Sequence, residues 1–130
     1  MLIIEPVQNK DEQERICEAC SVNYKPEFLA YSAKEDDKLL GVLQFRLNGE
    51  YGEIYDLANA VGVDDRDALV IMGRAALNFI DLCGVGKAKI FGCGEKLPRL
   101  LEFALNKNNE FELDLEGYFT APCQREKNMI

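Results

Sequence analysis

The stretch Tyr51-Gly-Glu-Ile-Tyr-Asp-Leu-Ala58, with Asp64-Asp-Arg-Asp67, the run Ala68 to Leu82 and Lys87-Ala-Lys-Ile-Phe-Gly-Cys93 behind it, decides the fold. Its first part has the β-branched and aromatic content of a strand, and the aspartates that follow the connection Asn59 to Val63 are a helix-start signal. From Ala68 onward the apolar residues Leu69, Met72, Ala76, Phe79, Ile80 and Cys83 recur three or four apart, on one helical face. Gly84 stops the helix, and the extended pattern from Lys87 predicts a second strand parallel to the first, reached by a right-handed crossover.

Upstream, Asn48-Gly49 is a strong hairpin signal and predicts a type I′ turn into the strand at Tyr51. Leu39 to Leu47 reads as the strand before it. Leu39, Gly41, Leu43, Phe45 and Leu47 fall on one face, and Leu40, Val42, Gln44 and Arg46 on the other. The charged turn Lys34 to Lys38 joins it to a strand at Phe28 to Ala33. Earlier still, Leu2 to Val7 predicts a first strand, with Pro6 at an edge or end. A helix capped by Asn9 or Asp11 then runs to about Cys20, with Ile16, Cys17 and Cys20 inward, and 21–26 is connection.

Downstream, Glu95 to Lys107 predicts a helix with Pro98 in its first turn and Leu97, Leu100, Leu101, Ala104 and Leu105 facing inward. Asn106 to Asn109 ends it. Glu110 to Leu115 alternates as a strand should, and Tyr118 to Ala121 predicts a last one before a polar tail from Gln124.

With 130 residues, 48% hydrophobic and 29% charged, the chain suits one domain, 1–130, with a single core. No apolar run spans a bilayer and no export signal is legible, so a cytoplasmic protein without membrane contact is expected. A net charge of -8 without a Lys/Arg cluster argues against nucleic acid. The absence of histidine removes Ser-His and Cys-His nucleophile activation and every histidine metal ligand. Five cysteines at 17, 20, 83, 93 and 123 form no disulfide framework, and most are expected to be reduced and buried. Cys17-Glu-Ala-Cys20 has C-x-x-C spacing, but it lies inside a predicted helix with no second pair, so no metal is expected.

The order β, α, three antiparallel strands, α, parallel β, α, β-β resembles the GNAT acetyltransferase superfamily over nearly the whole chain. Glu53-Ile-Tyr-Asp-Leu57 is similar to that family's fourth strand, and Leu77-Asn-Phe-Ile-Asp-Leu-Cys-Gly-Val85 to the end of its central helix. The resemblance implies an α/β (α+β) fold: a mixed sheet with antiparallel N-terminal strands, then a βαβ unit, with helices on both faces. It also implies acetyl-CoA as the donor and an amine as the acceptor.

The family's acetyl-CoA motif, Arg or Gln, two residues, Gly, one residue, Gly or Ala, falls on Asp64, Asp67 and Leu69, none of which matches. Those glycines let phosphates approach free amides at a helix N-terminus. Aspartates there have a plain role as helix caps and dipole partners. The family's tyrosine acid on the last helix falls near Asn106. The resemblance leaves as site residues Glu53 as base and Tyr118 at the acceptor cleft, with Leu57, Ala58, Asn59, Asp64, Asp67 and Leu69 toward acetyl-CoA. Glu53 also reads as a solvated strand residue, Tyr118 as core, and Gly92-Cys-Gly94 as a tight turn or a small anion nest. Two functions follow: N-acetyl transfer to an amine, or a GNAT-like module without that chemistry that binds a small ligand or a protein partner, with a homodimer as a candidate assembly.

Overall fold

In the computed structural model, which describes residues 1–119, the strand order is β1-β2-β3-β4-β5-β7-β6 in one mixed sheet. The strands are β1 (Leu2–Pro6), β2 (Leu29–Glu35), β3 (Lys38–Asn48), β4 (Tyr51–Asn59), β5 (Lys87–Phe91), β6 (Ala104–Leu105) and β7 (Phe111–Asp114). Among the described strands only β4 and β5 pair in parallel. The helices are α1 (Lys10–Ala19), α2 (Arg66–Leu82) and α3 (Lys96–Leu100). As expected, β5 lies parallel to β4 and is reached through α2.

Helix α2 supplies most of the core on its face of the sheet. Met72, Ala76, Leu77 and Ile80 are fully buried, against Leu43, Phe45, Ile54 and Ile90 of β3, β4 and β5. Each large side chain so buried stabilises by about 1.5–3 kcal/mol relative to exposure. The approach is close: a Cβ on Gly52 of β4 would stand 2.5 Å from Ile80 Cδ1. Cys83, assigned to the inner face from its spacing, is exposed one residue past the helix.

Helix α1 covers the opposite face, where Ile16, Cys17 and Cys20 pack with Val42 and Ala60. Asn9 is its cap, accepting from the Glu12 amide at 2.7 Å. Buried Gln13 donates through Nε2 to Gln44 Oε1 on β3 at 2.9 Å, which fixes α1 to the sheet without an unsatisfied amide.

Several sequence expectations need correction. In β3, Leu40 has no partner between the pairs Ala33↔Gly41 and Lys34↔Leu39, so the strict alternation breaks there. Leu39 packs with the α1-side cluster and Leu40 with the α2-side core. In the β3–β4 turn only Gly49 has positive φ, at +57°, and it occupies the first central position, the pattern of type II′ rather than I′.

The helix expected over Glu95 to Lys107 ends at Leu100. Glu102 adopts φ +73°, its amide donates to Arg99 O, and the Phe103 amide donates back to Pro98 O at 2.9 Å, a Schellman cap. The chain then extends into β6, and Asn106 to Asn109 becomes the β6–β7 turn. Leu97 and Leu101 face inward as expected, whereas Leu100, Ala104 and Leu105 do not. Tyr118 and Phe119 lie in a turn, and the rest of the expected last strand falls outside the described residues. No helix among the described residues is long and apolar enough to cross a membrane.

Candidate functional site

The parallel pairing of β4 and β5 runs only from Tyr51↔Lys87 to Tyr55↔Phe91. Beyond it β4 continues to Asn59 while β5 turns away through Gly92 and Gly94, both with positive φ. Asp56 adopts φ +58°, and the register with β3 shifts so that Leu43 faces both Asp56 and Leu57. This bulge bends β4 off β5. The result is a wedge between 56–59 and 92–94, whose β4 wall has no strand partner on that side among the described residues.

The bulge also rearranges side chains. Simple alternation puts Asp56 opposite Tyr55, yet its Oδ2 accepts from Gln44 Nε2 at 3.1 Å and from Lys25 Nζ. The Lys25 ammonium lies 5.6 Å from the centre of the Tyr55 ring. Asp56 is therefore on the α1 side with Tyr55. An aromatic wall continues there: Phe28 meets Tyr55 edge-on at 5.4 Å, and Tyr55 stacks on Phe91 at 4.8 Å.

Glu53 is on the same face, three residues back along β4. It is buried, at 8% exposure, with Oε1 accepting from its cross-strand partner Arg46 at 2.7 Å and Oε2 3.5 Å from Asn48 Nδ2. Tyr118 lies on the other side, packed against the α2 core, and its hydroxyl donates to Leu101 O at 3.1 Å. Burial raises its pKa. Glu53 and Tyr118 are thus on opposite faces and are not brought together.

At the far end of the wedge Leu57 is buried in the core. Asn59 spends its side chain on structure: Nδ2 donates to Leu40 O and Asp65 O, and Oδ1 accepts the Asp65 amide. That network fixes the connection into α2. Asp65 is the helix cap, accepting from the Ala68 amide at 3.1 Å. Asp64 and Asp67 are exposed beside it. Leu69 points inward, 3.0 Å from where a Cβ on Gly41 would stand. A cleft of about 560 Å³ adjoins this end, and Glu35, Asp36, Asp64, Asp65 and Lys38 supply its charged lining.

A pyrophosphate fits poorly here. One of the N-terminal amides is already capped by a carboxylate, and the charged lining is four carboxylates to one ammonium. Three of the thiols are not activated: burial pushes Cys17, Cys20 and Cys93 up to about 11, with Asp56 adding to Cys17 and Cys93. Among the described residues no group of three or more His, Cys, Asp or Glu is placed to hold a metal ion.

No family model matches the sequence, and comparison with curated proteins finds no match. Solved structures do. An acetyltransferase from Bacillus subtilis in complex with CoA superposes with TM-score 0.68 at 17% identity, over 88% of this chain and 99% of that one. The chain has the GNAT fold. A spermidine/spermine N-acetyltransferase from Vibrio cholerae gives TM-score 0.65 at 12% identity, over 93% and 99% of the two chains. An IAA acetyltransferase from Bacillus cereus gives 0.61 at 18% identity, over 77% and 71%. Lys25 and Asp56 escaped the sequence reading. The bulge that brings Asp56 to the Tyr55 side has no local sequence mark, and Lys25 stands in a segment that reads only as connection.

Proposed function

We propose that the protein is a GNAT-type N-acyltransferase acting on an amine, with the acyl donor held by its pantetheine arm in the β4–β5 wedge and only loosely by its phosphates. The observation that carries this reading is the divergence of β4 from β5 at Asp56, which leaves the wall 56–59 free of a strand partner. Leu57, Ala58 and Asn59 would line the arm through their backbone. The thioester supplies an electrophilic carbonyl, and fixed backbone donors would stabilise charge developing on its oxygen.

At the phosphate end, Asp64 and Asp67 oppose the ligand. At an effective dielectric of about 20, a carboxylate about 5 Å from a phosphate costs on the order of 3 kcal/mol before salt screening. Acetyl-CoA is expected to bind weakly. Proton transfer is the other weak point, because Glu53 and Asp56 already accept from Arg46 and Lys25. An acceptor amine would arrive as its free base, so turnover should rise with pH toward the amine's own pKa, without a plateau set by the enzyme.

A second reading, a GNAT-fold binding module without turnover, is favoured by the same engagement of Glu53 and Asp56 and by the Tyr118–Leu101 hydrogen bond. Both are tested by following CoA release from acetyl-CoA with a small primary amine, spermidine and a peptide α-amine as acceptors. Amine-dependent release that rises with pH supports the transferase. Thioester binding without release supports the module, and failure of any acyl-pantetheine compound to bind overturns both.

A further inference from the structure

Lys25 of the 21–26 connection reaches β4, and its ammonium does not end in solvent. Nζ donates to Asp56 Oδ2, lies 3.5 Å from Asn23 O, and stands 5.6 Å and 5.9 Å from the ring centres of Tyr55 and Phe28. The carboxylate is held from behind by Gln44, whose own amide is locked by Gln13 and by Asn23 O at 2.8 Å. Two aromatic faces, a carboxylate and a carbonyl around one ammonium are the ingredients by which proteins recognise alkylammonium ions.

Most of the receptor half of this arrangement belongs to the sheet, and Phe28 stands directly before β2. Asp56, Tyr55 and Gln44 stand on β3 and β4, with Asp56 in a left-handed backbone conformation at the bulge between the two strands. The occupant half is a long side chain on a connection outside helix and strand. Tyr55 also stacks on Phe91, the last residue of β5, where the parallel pairing with β4 ends. Both side chains of the ion pair keep about a quarter of their exposure, 24% and 23%, so the position is accessible from outside.

We propose that Asp56, Tyr55 and Phe28 form a binding site for a primary alkylammonium, and that the protein's own Lys25 fills this site as an internal occupant. An external ammonium competes with a tethered one, whose effective concentration is on the order of millimolar or higher. The wild-type protein therefore takes the ligand poorly. Loss of the Lys25 amine exposes the cage. The inference concerns an ammonium site alone and holds whether or not a thioester enters the wedge, so its failure and that of the transferase reading are separate.

The test is chemical rescue. Lys25→Ala is titrated with n-butylammonium chloride, with sodium chloride and 1-butanol as controls for ionic strength and apolar filling, and the thermal midpoint is read beside calorimetric binding. The expected result is a saturable, ammonium-specific rise in the variant's midpoint, with at least about tenfold tighter binding than wild type. The response should vanish in Lys25→Ala/Asp56→Asn, where Asn tolerates the left-handed backbone but carries no charge. Equal shifts from 1-butanol, no saturation, or persistence of the response without the Asp56 charge would overturn the proposal. If Lys25→Ala does not fold, Lys25→Met keeps the apolar stem and leaves room for one small cation. Ammonium chloride should then raise its midpoint above sodium chloride at equal ionic strength, and identical midpoints would overturn the proposal in the same way.

Discussion

Asp56 sets the geometry of the site more than any other single residue. A left-handed backbone at a non-glycine position costs about 1–2 kcal/mol, and aspartate is among the residues that tolerate it best. Here the cost is offset by hydrogen bonds from Gln44 and Lys25. The same charge, behind desolvation, keeps Cys17 and Cys93 protonated. With these thiols at about 11 against an ordinary 9.0, roughly 0.1% is thiolate at pH 8, so iodoacetamide should label exposed Cys83 well before Cys17, Cys20 or Cys93. Peptide mapping after brief alkylation checks this, and early label on Cys93 would contradict it. The folded state holds protons that the unfolded state has lost, so the thiols' contribution is full below about pH 9 and is lost as pH rises through 11. Alkaline denaturation should therefore begin in that window.

At the scale of elements, the three helices end in the same way, and this decides what the sequence could reveal. Val22 donates to Cys17 O, Val85 to Ile80 O and Phe103 to Pro98 O, each across a residue with positive φ. For α2 that residue is Gly84, and its boundary is legible. For α3 it is Glu102, whose side chain gives no hint of the conformation, so the leucine spacing past it reads as a longer helix. Replacing Glu102 by Gly should raise stability by about 0.5–1 kcal/mol, the relief of the left-handed strain less the extra freedom of glycine when unfolded. Denaturant unfolding measures it, and a loss of similar size would argue against the cap. The β4–α2–β5 unit was legible because hydrophobic periods of two and then three to four are local properties of the chain. The bulge at Asp56, the unpaired Leu40 and the Lys25 contact depend on residues far apart in sequence, and no spacing rule contains them.

In the proposed reading the wedge takes an uncharged acyl arm, and the acidic rim of the whole molecule lies where phosphates would sit. Leu69, aligned with a family glycine, packs into the core beside Gly41, so Leu69→Gly would open a cavity rather than a phosphate site, at about 2–5 kcal/mol. The informative changes are at exposed Asp64 and Asp67. Titration calorimetry of acetyl-CoA beside S-acetylpantetheine tests the central claim most directly. Affinities within about threefold are predicted for the wild type, with acetyl-CoA alone gaining in Asp64→Arg/Asp67→Gly. Acetyl-CoA binding about a hundredfold tighter than S-acetylpantetheine in the wild type, or no binding of S-acetylpantetheine at all, would contradict the account.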